Sequence, residues 1–94
     1  TIGLDDQNLG NIGIGNVIPN PSSGETYIPF VMTKSGNVKV TAVNMLGQTM
    51  MTLDQDYELG ENRVDFDVSL WSKGVYFVVF EFEGMRHTRK MIVQ

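Results

Sequence analysis

The sequence contains no cysteine. Disulfides, thiolate metal sites and cysteine nucleophiles are excluded together. Histidine is nearly absent: His87 is the single one. A serine–histidine–acid triad therefore has one candidate base. It lies in Met85-Arg86-His87-Thr88-Arg89-Lys90, among three cations. That setting favours a neutral ring and offers no carboxylate to orient it, so His87 reads as a surface residue on a strand. Positive charge is scarce too. Seven bases against 11 acids leave a net charge of −4. Nucleic-acid binding, which needs a positive surface, is set aside, and membrane-surface binding is disfavoured on similar grounds. No apolar run approaches the roughly 20 residues of a membrane helix, so no membrane insertion is expected. Thr1-Ile2-Gly3-Leu4-Asp5-Asp6 has no basic start, no apolar stretch and no initiator methionine. It is not a signal peptide, and the chain reads as a piece of a longer protein.

What is present suits one small β domain. The 94 residues give room for a single domain, and 41% hydrophobic content argues against disorder. Period-two alternation recurs, and no 3.6-residue period lasts long enough for a helix. Residues 1–10 read as a polar tail. Asn11 to Ile18 is expected as a first strand with Ile12, Ile14 and Ile18 on one face. The turn Pro19-Asn20-Pro21-Ser22-Ser23-Gly24 follows. Tyr27 to Thr33 alternates Ile28, Phe30 and Met32 inward, and Pro29, lacking a donor, places that strand at an edge or a bulge. Ser35-Gly36-Asn37 reads as a turn. Val38 to Val43 follows, with Val38, Val40 and Ala42 inward. Asn44-Met45-Leu46-Gly47 is a turn in which Asn bonds its own backbone and Gly supplies positive φ. Gln48 to Leu53 returns as a strand, and Asp54 to Glu61 reads as an acidic loop. Arg63 to Val68 points Val64, Phe66 and Val68 inward. Ser69 to Gly74 reads as a helical turn with Leu70 and Trp71 capping the core. Val75 to Phe82 is apolar on both faces, which marks a central strand. Glu83-Gly84 is a hairpin, and Met85 to Val93 the last strand. About seven strands at roughly ten-residue spacing predict a seven-stranded, immunoglobulin-like antiparallel β-sandwich.

Candidate chemistry is thin, and no cofactor is expected. Asp65 and Asp67 lie outward on an amphipathic strand, where acids serve solubility. Asp54-Gln55-Asp56-Tyr57-Glu58-Leu59-Gly60 begins like a calcium loop. Its glycine comes one position late, however, and Asp65 stands where the pattern wants Glu. A solvated loop is the better reading. Gly10-Asn11-Ile12-Gly13-Ile14-Gly15 follows no strand and opens no helix, so it is a lead-in to the first strand and not a phosphate cradle. Asn20-Pro21-Ser22 has glycosylation spacing, but its proline excludes the modification. Arg86, His87, Arg89 and Lys90 run against the net charge. They read either as charged protection of an edge strand or as a recognition surface. Tyr27, Tyr57 and Trp71 are the only candidates for a sugar-stacking platform.

Four motifs in order carry a family resemblance: Ile18-Pro19-Asn20-Pro21; Val40-Thr41-Ala42-Val43-Asn44-Met45-Leu46-Gly47-Gln48; Gly74-Val75-Tyr76-Phe77-Val78; and Lys90-Met91-Ile92-Val93-Gln94. Together they resemble the type A C-terminal sorting domain of the bacterial type IX secretion system, over residues 17–94. The resemblance implies a secretion signal from Bacteroidota that directs a folded N-terminal cargo of the same precursor from the periplasm across the outer membrane. It implies as partners the outer-membrane translocon, a shuttle protein and a sortase-like peptidase, and as destination the cell surface or the medium. The cut would fall in or before residues 1–16, a flexible linker. Position by position, Pro19, Asn20 and Pro21 match the proline motif, and Asn44 and Gly47 the turn. Gly74 and Tyr76 match the penultimate strand, and Lys90, Met91, Ile92, Val93 and Gln94 the terminal signal. Asn44 stands where aspartate is commoner, and Gln94 where lysine or arginine often ends the chain. A terminal strand can dock by adding to a receptor sheet, and unpaired edges leave a homodimer open. The competing class is an immunoglobulin-like accessory module for carbohydrate binding or cell-surface adhesion.

Overall fold

Side chains of a strand alternate between two faces, so a chain of short amphipathic strands buries one face of each sheet against the other. A computed structural model describes residues 12–94, and within them seven strands form two antiparallel sheets. In chain order they are β1 (Ile12–Ile14), β2 (Glu25–Met32), β3 (Gly36–Asn44), β4 (Thr49–Tyr57), β5 (Gly60–Asp67), β6 (Gly74–Phe82) and β7 (Met85–Val93). The smaller sheet runs β1-β2-β5 and the larger β4-β3-β6-β7. The expected β-sandwich is what forms, with β6 interior and β7 at an edge.

The core lies where the two sheets face. Ile28, Phe30 and Met32 meet Val38, Val40, Ala42, Val78 and Phe80, all buried. Phe30 joins the layers: its ring stands edge-on to Phe80 at 5.5 Å and to Tyr57 at 4.9 Å. Gly36 passes beneath Phe82, where a Cβ would come within 2.7 Å of the ring. That approach explains a glycine inside a strand. The Glu83-Gly84 hairpin has positive φ at both residues, 53° and 79°, as a tight two-residue β-hairpin requires.

Several local expectations are corrected. Asn11 lies outside the described residues, and the first strand stops at Ile14. Ile18 is 39% exposed, and Val17 turns inward in its place. Gly36 and Asn37 belong to β3, so the turn comes earlier, at residues 33–35. The acidic loop shrinks to Glu58-Leu59, because Asp54–Tyr57 extends β4 and Gly60 already begins β5. Residues 69–73 form a turn with no helix, and Leu70 is 97% exposed, leaving Trp71 alone to cover the core end.

Pro29 sits neither at an edge nor at a bulge. It lies in the middle strand of its sheet, paired in register with Arg63. Its carbonyl accepts from Gly15 N at 2.8 Å. A strand residue directs N and O to the same side. The missing donor therefore faces the place where β1 has just ended, at Ile14 opposite Phe30. A central strand tolerates proline there because no ladder partner is lost.

The connections set up two poles. Ile12 pairs with Met32 and Gly36 with Tyr57, so β1 begins at the end that carries residues 33–35, 58–59 and 83–84. Val93 pairs with Gly74 and Asn44 with Tyr76, so β7 finishes at the opposite end. The longest dimension is 35 Å.

Candidate recognition site on the terminal strand

Between β1 and β2 the chain leaves its own sheet and lies along the edge of β7. Ser22 bridges Val93 in parallel. Ser22 N donates to Ile92 O at 2.7 Å, and Gln94 N donates to Ser22 O at 2.8 Å. The Asn20 side chain substitutes for one more rung. Its Oδ1 accepts from Ile92 N at 3.0 Å, and its Nδ2 donates to Lys90 O at 3.3 Å. The Ser22 hydroxyl, fully buried, donates to the Pro19 carbonyl. Pro19 and Pro21 both follow cis peptide bonds. The proline motif and the terminal motif are thus one hydrogen-bonded unit, although some 70 residues separate them.

The other two motifs join the same pole. Gly74, at φ 152°, pairs with Val93, and Tyr76 pairs with Met91. Tyr76 is buried, donates its hydroxyl to Ser72 O at 2.6 Å, and packs 5.1 Å from Trp71, which stacks on Phe66 at 6.1 Å. Asn44 lies beside Tyr76, so Asn44, Tyr76 and Met91 form one row across the larger sheet. Asn44 Oδ1 accepts from Leu46 N and Gln48 N, both at 2.9 Å. Gly47 adopts φ 83°. The turn is therefore built as its residues imply, and it holds Met45 and Leu46 out in solvent.

Within the terminal motif the side chains divide. Met91 and Val93 enter the core, Lys90 and Gln94 are exposed, and Ile92 is half-buried on the outer face. The edge of β7 is already half used, since Asn20 and Ser22 take the outward groups near Ile92, and Arg89 Nη1 donates to Thr88 O at 3.1 Å. Strand addition has only Arg86–Thr88 left to it. Sequence reasoning named three further residues without the roles they play here. Ser22 carries no signal beyond its place after the motif. Trp71 was assigned to the core end but not to Tyr76. Arg89 faces inward with His87 and ties the last strand to the first. Its Nη2 donates to Ile14 O at 2.8 Å and its Nε to Gly15 O at 3.1 Å. A cation at an inward-alternating position was the available signal.

The remaining candidates stay apart. Asp65 pairs with Arg63 at 2.7 Å, and Asp67 accepts from Ser69 N, a bond that holds its carboxyl below the usual value. Asp54 and Asp56 both accept from Asn37 Nδ2 on β3. Tyr27 is covered by the Arg63 guanidinium at 4.1 Å, and Tyr57 and Trp71 pack elsewhere, so the aromatics make no common platform.

His87 is half-buried, and its Nε2 is buried with no hydrogen-bond partner among the described residues. Burial first, and then the charge of Arg89, hold its pKa below the ordinary 6.5. The unfolded chain thus binds the proton more readily than the folded one. Stability is expected to be full above pH 6.5 and to fall as pH drops from there toward the depressed folded value. Thermal melts across pH 5–8 check this. His87→Gln should flatten the slope in that window, and an unchanged slope would assign it to other groups.

The chain is thus an all-β sandwich in which the residues of the four motifs gather around β7 at one pole. Residues 16–94 match the family model described as secretion system C-terminal sorting domain, and the chain belongs to that family. It is a type IX secretion sorting domain, which marks a protein for export to the cell surface or the extracellular space. No curated protein matches the chain.

Proposed function

We propose that the folded domain, rather than a linear peptide, is the export signal, and that the outer-membrane translocon and its shuttle protein read the pole formed by the four motifs. The observation that carries this reading is the lashing of Asn20 and Ser22 to Lys90, Ile92 and Gln94. The terminal motif takes this form only once the whole domain has folded. A folded N-terminal cargo then follows from the periplasm through the outer membrane. A sortase-like peptidase separates the two in or before residues 1–16. β1 begins at the pole opposite the motifs, so a cut before Ile12 would keep cleavage and recognition from competing for one surface.

A reporter export assay tests it. Residues 1–94 are fused behind a signal peptide and a folded reporter, in a type IX-competent strain and in a translocon-null strain. The expected result is reporter outside the first and periplasmic in the second. Single substitutions along β7 should then separate two effects. Met91 and Val93 variants should lose export together with the fold, whereas Lys90→Glu should lose export with its melting temperature kept. Reporter retained in both strains, with the domain folded, would reduce the family likeness to one of fold.

A further inference from the structure

A two-layer sandwich buries one face of each sheet and leaves the other to water, so the outer faces should be polar. On the smaller sheet the outward Glu25, Glu61, Arg63, Asp65 and Asp67 are exposed, and the outward Tyr27, Pro29 and Val31 each stand opposite one of these charges. The larger sheet differs. On its outer face Val43 pairs with Phe77, which pairs with Lys90, and the next row toward the pole sets Val75 against Ile92. Val79 adjoins on the other side. Directly opposed strand residues place their Cβ atoms about 5 Å apart, so these five side chains form one continuous apolar strip across β3, β6 and β7. Val43, Val75, Phe77 and Ile92 are half-buried and Val79 is buried, yet among the described residues neither sheet of the sandwich packs over them. This is why β6 is apolar on both faces: one face fills the core and the other carries the strip. A contiguous outer apolar patch with a polar rim marks an interaction site.

The rim states the partner's charge. Lys90, in the Phe77 row, has no ion-pair partner among the described residues. The nearby Arg86 is already matched by Glu81 at 3.4 Å. The carboxylates of this face, Asp54, Asp56 and Glu81, lie toward the other pole, in the row of Lys39 and Arg86 or the row beyond it. Lys90 and Ile92 are also the outward members of the terminal motif. The edge of β7 beside them is occupied by Asn20 and Ser22, but their outer side chains are not.

We propose that the docking surface of the signal is this strip, Val43, Val75, Phe77, Val79 and Ile92 with Lys90 at its border. Its occupant is a receptor protein that offers an apolar patch beside a carboxylate. The inference rests on the export role proposed above and names which surface performs it. The terminal motif then acts through a sheet face rather than by strand addition.

The test uses the same reporter fusion with the double variant Val43→Thr/Phe77→Thr, which keeps β-forming residues while removing apolar surface. Val31→Thr, on the outer face of the smaller sheet, is the control. Exported reporter should fall at least about tenfold for the double variant, as loss of a central apolar anchor predicts, and stay near the unaltered level for Val31→Thr. A folded double variant exported normally overturns the strip. In a second arm a photoreactive residue replaces Thr88, beside the strip, or Asp65, on the opposite face, with the rest of the chain unaltered. An adduct to a machinery protein from position 88 and none from position 65 supports the proposal. Equal adducts from both positions, or an adduct only to a second copy of the chain, overturn it. Retention of the unaltered fusion sinks the export role and this inference with it, whereas its export beside a normally exported double variant sinks the strip alone.

Discussion

Removing Lys90–Gln94 is expected to unfold the domain, not merely to silence it. Met91 is 0% exposed and Val93 3%. Emptying such sites costs about 3 kcal/mol for methionine and about 2 kcal/mol for valine. A domain of this size is stable by roughly 5–14 kcal/mol in all. The truncation also strips Ser22 and Asn20 of their partners at Lys90, Ile92 and Gln94, leaving the residue 15–24 excursion without its anchor. Far-UV circular dichroism with urea titration should show the cooperative transition lost or shifted to low denaturant. Lys90→Glu, at an exposed position with no ion pair to break among the described residues, should shift the midpoint little. A truncated chain that melts like the full one would mean that the last strand contributes nothing to the core. An export defect of the truncation alone says nothing about recognition, whereas a stable, unexported Lys90→Glu does.

Phe30→Ala is expected to cost about 4 kcal/mol and to lower the melting temperature by roughly 15–30 °C. The ring lies between Phe80 of the larger sheet and Tyr57 at the corner where β4 passes to β5. Its loss opens a cavity lined by both layers, and two sheets held by different strands cannot close on it without moving as bodies. The neighbouring Val31→Ala, 46% exposed on the outer face, should change stability by less than about 0.5 kcal/mol. Thermal melts of the two variants side by side are the measurement. A large shift for Val31→Ala beside a small one for Phe30→Ala would mean that the facing of β2 is reversed.

Much of the fold was legible because its signals are local. The alternation of β3 and β5, the Asn44–Gly47 turn and the Glu83-Gly84 hairpin depend on residues within a few positions of each other. Their hydrogen bonds and φ values follow directly. What failed were features that need a distant neighbour. Pro29 is tolerated in a central strand because β1 ends beside it. Leu70 is exposed because the turn after β5 sends Trp71 alone back to the core. The acidic stretch at 54–57 is strand because β3 lies beside it to pair with.

The candidate site divides the same way. Its motif residues could be named from their order along the chain, because each motif is a short local pattern. That Asn20 and Ser22 would complete the edge of β7 could not, since some 70 residues of intervening chain must fold first. Nor could the sequence distinguish the two faces of β6. Val75, Phe77 and Val79 are as apolar as Val78 and Phe80, and period two says only that the sets point in opposite directions. By itself the sequence determined a cysteine-free all-β domain with a motif-bearing last strand. The tertiary structure alone decided which apolar set is core and which is left outside, because burial belongs to the second sheet that covers a face and not to the residues of the face itself.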